Sequence, residues 1–283
     1  RTTNVKLQGG VITSNNEQQD AHGKSLNGAI YMQTRASSDV LGTIGTDIRG
    51  KNPDNLIFSY DDTESNIDPL DPDGYAVKGP RADGYYHLEP IASEFAVSGG
   101  TEGTDYRYDT TSHTLHILTA TPMTLSMAEG VAQTTTDSIF VEDGVSANLT
   151  LAGVNISLSK TRATPLSIAD DSTGDVTITL AAGTQNFLEA GTYAASIQKN
   201  NPADAGSLTI TGSGSLTAPG GVAGCSIGGE LKDFIGRGGL GTMVVSGGEI
   251  VAPQGIIASD FTMSGGRIDG IVYDVDKSFT ITG

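Results

Sequence analysis

The sequence contains no tryptophan, a single cysteine (Cys225) and only 16 lysine and arginine residues against 33 aspartates and glutamates. One thiol excludes an internal disulfide framework and a cysteine-based zinc site, because each needs at least two. Cys225 is therefore expected to be a small buried residue. The net charge of −17 makes the average surface repel phosphate backbones and anionic lipids. We therefore expect neither nucleic acid nor a membrane as a partner, and no apolar run reaches the roughly 20 residues of a membrane span.

What the sequence has in quantity is glycine, serine and threonine. The 38 glycines, together with a hydrophobic content of 37%, disfavour a helical bundle, which needs Leu, Ala, Glu and Lys. Many short strands joined by tight turns fit this composition better. The sequence therefore predicts an all-β fold.

The strongest signal is a repeated alternating strand that ends in glycine. Its copies are Leu208–Gly212, Met243–Gly248, Phe261–Gly266 and Phe279–Gly283. Gly247, Gly265 and Gly283 follow one another at a constant spacing of 18, and Gly229 lies one further step back. Stacked strands of fixed period bury apolar side chains at every second position and leave serine and threonine outside. The pattern predicts a right-handed parallel β-helix with 18-residue rungs in the C-terminal part; an array of antiparallel hairpins is the alternative, although few Asn-Gly or Asp-Gly turns support it.

The spacing of the pattern divides the chain into three parts. Residues 1–59 read as a solenoid-like segment, residues 95–283 as the β-helix, and residues 60–94 as an excursion or linker. Four prolines in the excursion, Pro69, Pro72, Pro80 and Pro90, are expected to rule out regular inner strands there. No signal peptide begins at Arg1 and repeated pattern runs to both ends, so we expect a segment of a longer protein whose targeting and anchoring signals lie outside it.

Several stretches carry a family resemblance. They are Phe95–Thr101, Val141–Ile156, Leu208–Leu216 and Cys225–Gly229. These stretches resemble the β-helical repeat regions of large cell-wall surface proteins from gut Firmicutes, although Glu230–Ile235 interrupts the usual glycine-rich rung. The resemblance covers roughly Phe95 to Gly283 and implies an extracellular location on a bacterial surface. It also implies a non-enzymatic binding module, with no cofactor, whose partner is a host glycan or glycoprotein, immunoglobulin included; we expect a monomer.

Two other functions stay open. A carbohydrate-active β-helix, either a polysaccharide lyase or a glycoside hydrolase, would need carboxylates or a base on an exposed face. Asp170 and Asp171, with Lys160 and Arg162, are the candidates, but Asp-Asp-Ser-Thr-Gly also has the composition of a solvated turn. A passive surface stalk would need no site at all.

The predicted ligand-binding residues lie in the excursion. Tyrosine provides a large contact area with a polar tip, and loops on a rigid scaffold commonly carry binding function. We therefore expect ligand contacts from Tyr75, Arg81, Tyr85, Tyr86 and His87. In the alternative interpretation the same rings cap one end of the solenoid.

An acidic stretch precedes these residues and ends at Gly74. It holds Asp61, Asp62, Glu64, Asp68, Asp71 and Asp73. The spacing does not match an EF-hand loop, so a solvated loop is preferred over a Ca²⁺ site, and no metal is predicted. His113 and His116 are not expected to share a metal ion either, because residues three apart on a strand face opposite sides.

Two glycine-rich motifs match catalytic or cofactor signatures only in spelling. Gly224–Gly228 matches a nucleophile elbow around Ser226, but all four histidines precede that serine and no helix follows. Gly236–Gly241 matches a dinucleotide loop but is followed by a strand pattern rather than a helix. Neither motif is expected to be functional.

Overall fold

The computed structural model describes residues 92–282, with gaps at 132–133, 171, 201–205, 230, 233–235, 238–239 and 274–276, and six short strands before residue 92. The chain divides into two compact units, residues 1–92 and 93–283. The described residues form strands, turns and irregular segments and no helix, which confirms the prediction of an all-β fold for this part of the chain. Accordingly, no membrane-spanning helix occurs in the described part.

The strands described in the first unit are β1 (Gln18–Gln19), β2 (Ser25–Leu26), β3 (Ile30–Met32), β4 (Leu56–Phe58), β5 (Tyr75–Lys78) and β6 (Tyr86–Pro90). β1 and β2 form an antiparallel pair, and the other four form a sheet in the order β3-β4-β6-β5. β6 lies inside this sheet, antiparallel to both of its neighbours. The prediction that prolines rule out inner strands here is therefore wrong for β6. Pro90 is its last residue, where a missing N–H interrupts the hydrogen-bond ladder least, and Pro69, Pro72 and Pro80 lie outside the described residues.

The strands described in the second unit are β7 (Phe95–Ser98), β8 (Tyr106–Asp109), β9 (Thr114–Ile117), β10 (Met123–Met127), β11 (Ser138–Val141), β12 (Asn148–Leu151), β13 (Asn155–Ser157), β14 (Leu166–Ile168), β15 (Val176–Leu180), β16 (Gln185–Glu189), β17 (Ile197–Lys199), β18 (Ser207–Gly212), β19 (Ser215–Thr217), β20 (Ile227–Gly228), β21 (Leu231–Lys232), β22 (Gly236–Arg237), β23 (Thr242–Ile257), β24 (Asp260–Tyr273) and β25 (Ser278–Ile281). All except β21 and β22 belong to one large curled sheet, which is partly solenoid-like.

Parallel pairing divides this sheet into three ladders. The first ladder runs through β10, β12, β15, β18, the starts of β23 and β24, and β25. The second runs through β13, β16, β19 and the middles of β23 and β24. The third runs through β9, β11, β14, β17, β20 and the ends of β23 and β24. From β12 onward the chain passes through the ladders in this order, and we call each passage a repeat.

Two antiparallel strands lie where the parallel ladders begin. β7 pairs with β10 of the first ladder, and β8 pairs with β9 of the third. Within the described part of the second unit, the hairpin alternative therefore holds only for these strands and for the small β21–β22 pair, while the long ladders are parallel. Parallel strands cannot be joined by two-residue hairpins, which explains why Asn-Gly and Asp-Gly signals are few in this sequence.

Alternation along the strands β9 to β18 separates core from surface, as predicted. In β15, Val176, Ile178 and Leu180 are fully buried, while Thr177 and Thr179 between them are half-exposed. The same alternation recurs along β9 to β18, so that the inward side chains of the three ladders form one apolar cluster. Apolar burial of this kind contributes roughly 1.5–3 kcal/mol per large side chain, and it is the main term that holds the ladders together.

The predicted 18-residue period holds only for the last repeats. Met243, Phe261 and Phe279 pair in successive strands at this spacing, and the rings of Phe261 and Phe279 stack at 5.4 Å. Phe279 nevertheless remains 54% exposed, because β24 is its only neighbour in the ladder among the described strands. Earlier repeats are much longer, since the ladder partners of Leu208 are Val176 on one side and Met243 on the other.

The assignment of Gly229 to this 18-residue series is wrong. Its neighbour Ile227 pairs with Ile197 and Ile256 and therefore belongs to the third ladder, not the first. The antiparallel β21–β22 pair follows β20 and lengthens that repeat. An insertion of this kind does not change how the ladder strands pair, because it lies between them. The spacing of 18 between Gly229 and Gly247 is therefore a coincidence.

Candidate binding surface

The outer face of the first ladder carries two rows of threonine, which we call the threonine face. One row contains Thr124, Thr150, Thr179 and Thr211, each directly opposite the next. The other contains Thr177, Thr209, Val244, Thr262 and Thr280, paired in the same way. Strands in a sheet lie about 4.8 Å apart and same-face residues of one strand about 6.6 Å apart, so the hydroxyls form a regular grid.

Among the described residues, the hydroxyls of the threonine face have no hydrogen-bond partner in the protein. In the described part of the chain, none of these threonine side chains forms a hydrogen bond to another protein group, whereas the hydroxyls of Thr114, Thr119, Thr161 and Thr184 all do. The face threonines are partly exposed, and Thr280 is exposed. A grid of solvated hydroxyl and methyl groups can exchange its water for the hydroxyls and C–H groups of a ligand.

Charge is confined to the margin of this face. Asp175 precedes β15, and its carboxylate accepts hydrogen bonds from the backbone N–H and the hydroxyl of Ser207 at 2.7 and 2.8 Å. These hydrogen bonds lower the pKa of Asp175. At the other end, the Asp260 carboxylate is hydrogen-bonded by Ser278. The two rows themselves are uncharged and therefore suit a neutral, polar ligand.

A second polar surface lies on the outer side of the third ladder. His116 Nδ1 is 2.8 Å from the Glu142 carboxylate, and Arg107 lies 3.6 Å from the same group. The His116 ring also packs against Phe140 at 5.5 Å between centroids. These groups satisfy one another, so we assign this cluster a structural role.

A buried carboxylate, that of Asp137, lies close to the antiparallel pair of β8 and β9. Asp137 is only 2% exposed and accepts a hydrogen bond from the backbone N–H of Glu94 at 2.9 Å. Its other oxygen lies 3.4 Å from His113 Nδ1, and the Tyr108 hydroxyl lies 3.1 Å from the same nitrogen. Burial raises the pKa of Asp137, although the hydrogen bonds from Glu94 and Tyr108 oppose this. Burial and the neighbouring Asp137 likewise raise the pKa of Tyr108.

His113 and His116 therefore contact different carboxylates, Asp137 and Glu142. His113 lies in the turn before β9 with a positive φ of 53°, not on the strand as the sequence pattern predicted. Among the described residues, no group of three or more His, Cys, Asp or Glu side chains is arranged to hold a metal ion. The pair of Asp137 and His113 follows from the register of two strands. His113 immediately precedes β9 and Asp137 immediately precedes β11, and the two strands pair from their first residues.

Asp137 should make stability depend on pH in an uncommon direction. The folded state holds the Asp137 proton above the usual pKa of 3.8, so the free energy of unfolding falls as pH rises through the window between that value and the raised one. Asp137→Asn removes this dependence, because the amide mimics the protonated carboxyl and still accepts the Glu94 N–H. Urea unfolding between about pH 3 and 7 measures the effect.

Asp105→Asn is the matched control for this experiment. Hydrogen bonds from the hydroxyls of Thr119 and Thr121 and the N–H of Thr101 lower the pKa of Asp105, so its stabilisation is present above pH 3.8 and is lost as pH falls through the lowered value. The two variants should change the pH profile in opposite directions. Parallel profiles for wild type and Asp137→Asn would contradict the assignment.

The predicted ligand contacts of the excursion fall partly outside the described residues. Arg81 and Tyr85 lie outside them, as do the acidic residues 61–73. Tyr75 is the first residue of β5 and pairs with Pro90, whereas Tyr86 and His87 lie at the opposite end of the same strand pair, where His87 pairs with Lys78. Tyr75 is therefore separated along the strand pair from Tyr86 and His87, which are consecutive in β6; the role of these residues in binding stays a prediction.

The catalytic candidates that the structure describes are not assembled into one group. Asp170 follows β14 and accepts a hydrogen bond from Asn200 at 2.8 Å, and Asp171 lies outside the described residues. Lys160 is exposed in a different turn, after β13, and the Arg162 guanidinium lies 5.5 Å from the ring centre of Tyr193. Asp170 with Lys160 therefore lacks the mutual contact that acid–base chemistry would need.

The two glycine-rich motifs have structural roles. Ser226 is fully buried, and its hydroxyl oxygen accepts the backbone N–H of Gln254 at 3.1 Å. Gly236–Arg237 is the strand β22, not the start of a helix. Cys225 is buried, as predicted, and packs against Ala195 and Ile257.

Sequence reasoning missed a buried lysine. Lys199 on β17 is fully buried and donates a hydrogen bond to the Gly206 carbonyl at 2.8 Å. Burial lowers the pKa of Lys199, and the charge of Asp175 partly opposes this. The alternation of β17 places residue 199 inward, which was the available signal, but a charged side chain at an inward position is read as a break in the pattern.

Comparison with known proteins adds no identification. No protein-family model matches the chain, and neither a curated protein nor a solved structure matches it. The function must therefore be argued from the surface itself.

Proposed function

We propose that this chain is a non-enzymatic binding module of an extracellular bacterial surface protein and that the threonine face contacts an uncharged part of a host glycan or glycoprotein, immunoglobulin included. The observation that carries the proposal is the grid of threonine hydroxyls that have no protein partner within the described part of the chain. Each hydroxyl can donate and accept a hydrogen bond, as sugar hydroxyls do, and each methyl group can pack against sugar C–H groups. A monomer at the bacterial cell surface is part of this proposal.

The scaffold proposed for this function is a right-handed parallel β-helix. Three parallel ladders visited in constant order, with one apolar cluster between them, support it. Parallel crossovers within one sheet are almost always right-handed, because a right-twisted strand packs back onto the sheet only in that sense. Such a scaffold keeps the threonine rows rigid, so binding costs little side-chain entropy: threonine has only one χ angle to fix.

The test is binding of the purified chain to an array of neutral and charged host glycans, mucin and immunoglobulins, followed by titration of whatever binds. Thr179→Val with Thr211→Val removes two hydroxyls and keeps shape and strand preference. Two lost hydrogen bonds of about 1 kcal/mol each predict roughly a 30-fold weaker Kd.

The matched control is Ser167→Ala with Thr217→Val, which removes two outward hydroxyls from the third and second ladders. This variant should bind like the wild type. Equal affinity of wild type and the Thr179/Thr211 variant for every neutral ligand would contradict the proposal, and absence of all binding would favour the passive stalk.

The carbohydrate-active alternative has one observation in its favour, the His113–Asp137–Tyr108 cluster. A buried carboxylate beside an imidazole resembles the orientation of a general base. Release of reducing ends or of unsaturated products from polysaccharides, lost in His113→Gln, would support an enzyme. The proposal of a binding module requires that no such release occurs.

A further inference from the structure

Three turns between the second and third ladders lie against one another and form a strip along the surface. They span residues 158–163, 191–194 and 221–224. The Thr192 N–H donates to the Thr161 carbonyl at 2.9 Å, and the Tyr193 N–H donates to the Val222 carbonyl at 3.0 Å. Because backbone hydrogen bonds join the turns, the side chains that project from them are held in a fixed order. We call this surface the corner strip.

The corner strip presents a cationic and an aromatic group side by side. Lys160 and Arg162 are exposed in its first turn, and the Arg162 guanidinium lies 5.5 Å from the ring centre of Tyr193 in the second. Val222 in the third turn is 77% exposed. Within the described part of the chain neither Lys160 nor Arg162 forms an ion pair. Glu189, on the neighbouring strand, instead accepts a hydrogen bond from Ser157.

Tyr193 occupies a backbone conformation that disfavours it. Its φ is +68°, in the left-handed region, and Ala223 has the same conformation one repeat later, at φ +64°. Apart from these two and His113, positive φ values in the described residues belong to glycine. Glycine would be the favourable residue at position 193, since a side chain there clashes with its own backbone. A strained, partly exposed tyrosine whose ring lies against Arg162, a cation that forms no ion pair within the described residues, points to a contact residue rather than a packing residue.

We propose that Lys160, Arg162 and Tyr193 form a binding site for a carboxylate-bearing glycan. The guanidinium and ammonium groups attract the sugar carboxylate, and Arg162 is already oriented by the tyrosine ring. The ring supplies a flat surface for the apolar side of the sugar. The strip crosses three repeats, so it fits a segment of a glycan chain rather than a small isolated anion. This site differs from the threonine face and does not require that face to bind.

The corner strip carries a local positive charge, which is opposite in sign to the net charge of the whole chain. With a net charge of −17, the molecule as a whole repels anionic ligands, and two exposed cations in one turn create a limited region where an anion can approach. Affinity at the corner strip should therefore fall as salt concentration rises, because exposed charges are screened. Binding of neutral ligands at the threonine face should not show this dependence.

The experiment titrates the full chain with two anionic probes, a hyaluronan octasaccharide for uronate and 3′-sialyllactose for sialate. Chitin oligosaccharides and lactose are the neutral counterparts. We expect Arg162→Gln and Tyr193→Gly each to weaken binding of an anionic probe at least 10-fold. Which of the two probes binds identifies the source of the carboxylate.

Stability measurements separate a contact role from a packing role. Tyr193→Gly should leave Tm unchanged or raise it, because glycine relieves the positive φ, while binding is lost. Ala223→Gly, at the equivalent position, should likewise keep or raise Tm, and it isolates the backbone effect of glycine from the loss of a ring. The Thr179→Val/Thr211→Val variant should keep its affinity for the anionic probe, which distinguishes this site from the threonine face.

The proposal is overturned if neither anionic probe binds more tightly than its neutral counterpart, or if Arg162→Gln and Tyr193→Gly bind like the wild type. A Tyr193→Gly variant with a clearly lower Tm would also overturn it, since the ring would then be needed for packing.

Discussion

Replacing Gly212 by alanine is expected to destabilise the second unit by at least about 4 kcal/mol. Gly212 ends β18 with φ +98°, and a Cβ at this position would lie 2.2 Å from the carbonyl oxygen of Leu180 on the neighbouring strand. The left-handed backbone alone costs about 1–2 kcal/mol for a residue with a side chain. The clash adds to this cost because the Cβ would meet backbone atoms of Leu180, which can move only if the first ladder is disrupted.

Gly183→Ala is the matched control. Gly183 also has a positive φ, 72°, but a Cβ there would meet no atom within 4 Å. Gly183→Ala should therefore lower the free energy of unfolding only by the cost of the left-handed backbone conformation, about 1 kcal/mol. Urea unfolding of both variants measures the difference. Similar losses in the two would mean that close approach of the strands at Gly212 is not what requires glycine.

Ile178→Ala is expected to cost about 4 kcal/mol, the second large effect. Ile178 is fully buried in the centre of β15, which pairs with β12 on one side and β18 on the other. Removing its side chain loses apolar burial and leaves a cavity that two flanking parallel strands cannot collapse into easily.

The adjacent residue supplies the control for this prediction. Thr177 lies on the outer face of the same strand, so Thr177→Ala should change the free energy of unfolding by less than about 1 kcal/mol. Chemical unfolding followed by circular dichroism would measure both. If Thr177→Ala cost as much as Ile178→Ala, the assignment of inner and outer faces along β15 would be wrong.

The two proposed surfaces make different demands on the scaffold. The threonine face needs a regular, rigid sheet, and its residues adopt ordinary strand conformations. The corner strip needs a turn that holds Tyr193 in an unfavourable conformation, which neighbouring backbone hydrogen bonds maintain. Tyr193→Gly can therefore distinguish the two surfaces. Only at the corner strip does binding favour one residue, tyrosine, while stability favours another, glycine.

Site prediction from the sequence was limited by distance along the chain. Aromatic density pointed to residues 75–87, whereas the cation beside a ring at Arg162 and Tyr193 comes from two separate turns that only stacking brings together. The same holds for Asp137 and His113, and for Lys199 with Asp175. Spacings that change from one repeat to the next do not reveal such neighbours, because each repeat can insert residues in its turns without disturbing its strands.

By itself the sequence determined the all-β character of the described part, the alternation of inward apolar and outward polar positions along the strands β9 to β18 and the 18-residue register of the last repeats. These follow from local physics: period-two alternation, the shortage of helix formers and glycine at corners. The tertiary structure alone decided which threonines share a row, where Gly229 belongs and how the antiparallel strands lie at the start of the ladders. Those features depend on pairing between distant segments, and that pairing is selected by the total apolar area the stacked strands bury together, which no single segment encodes.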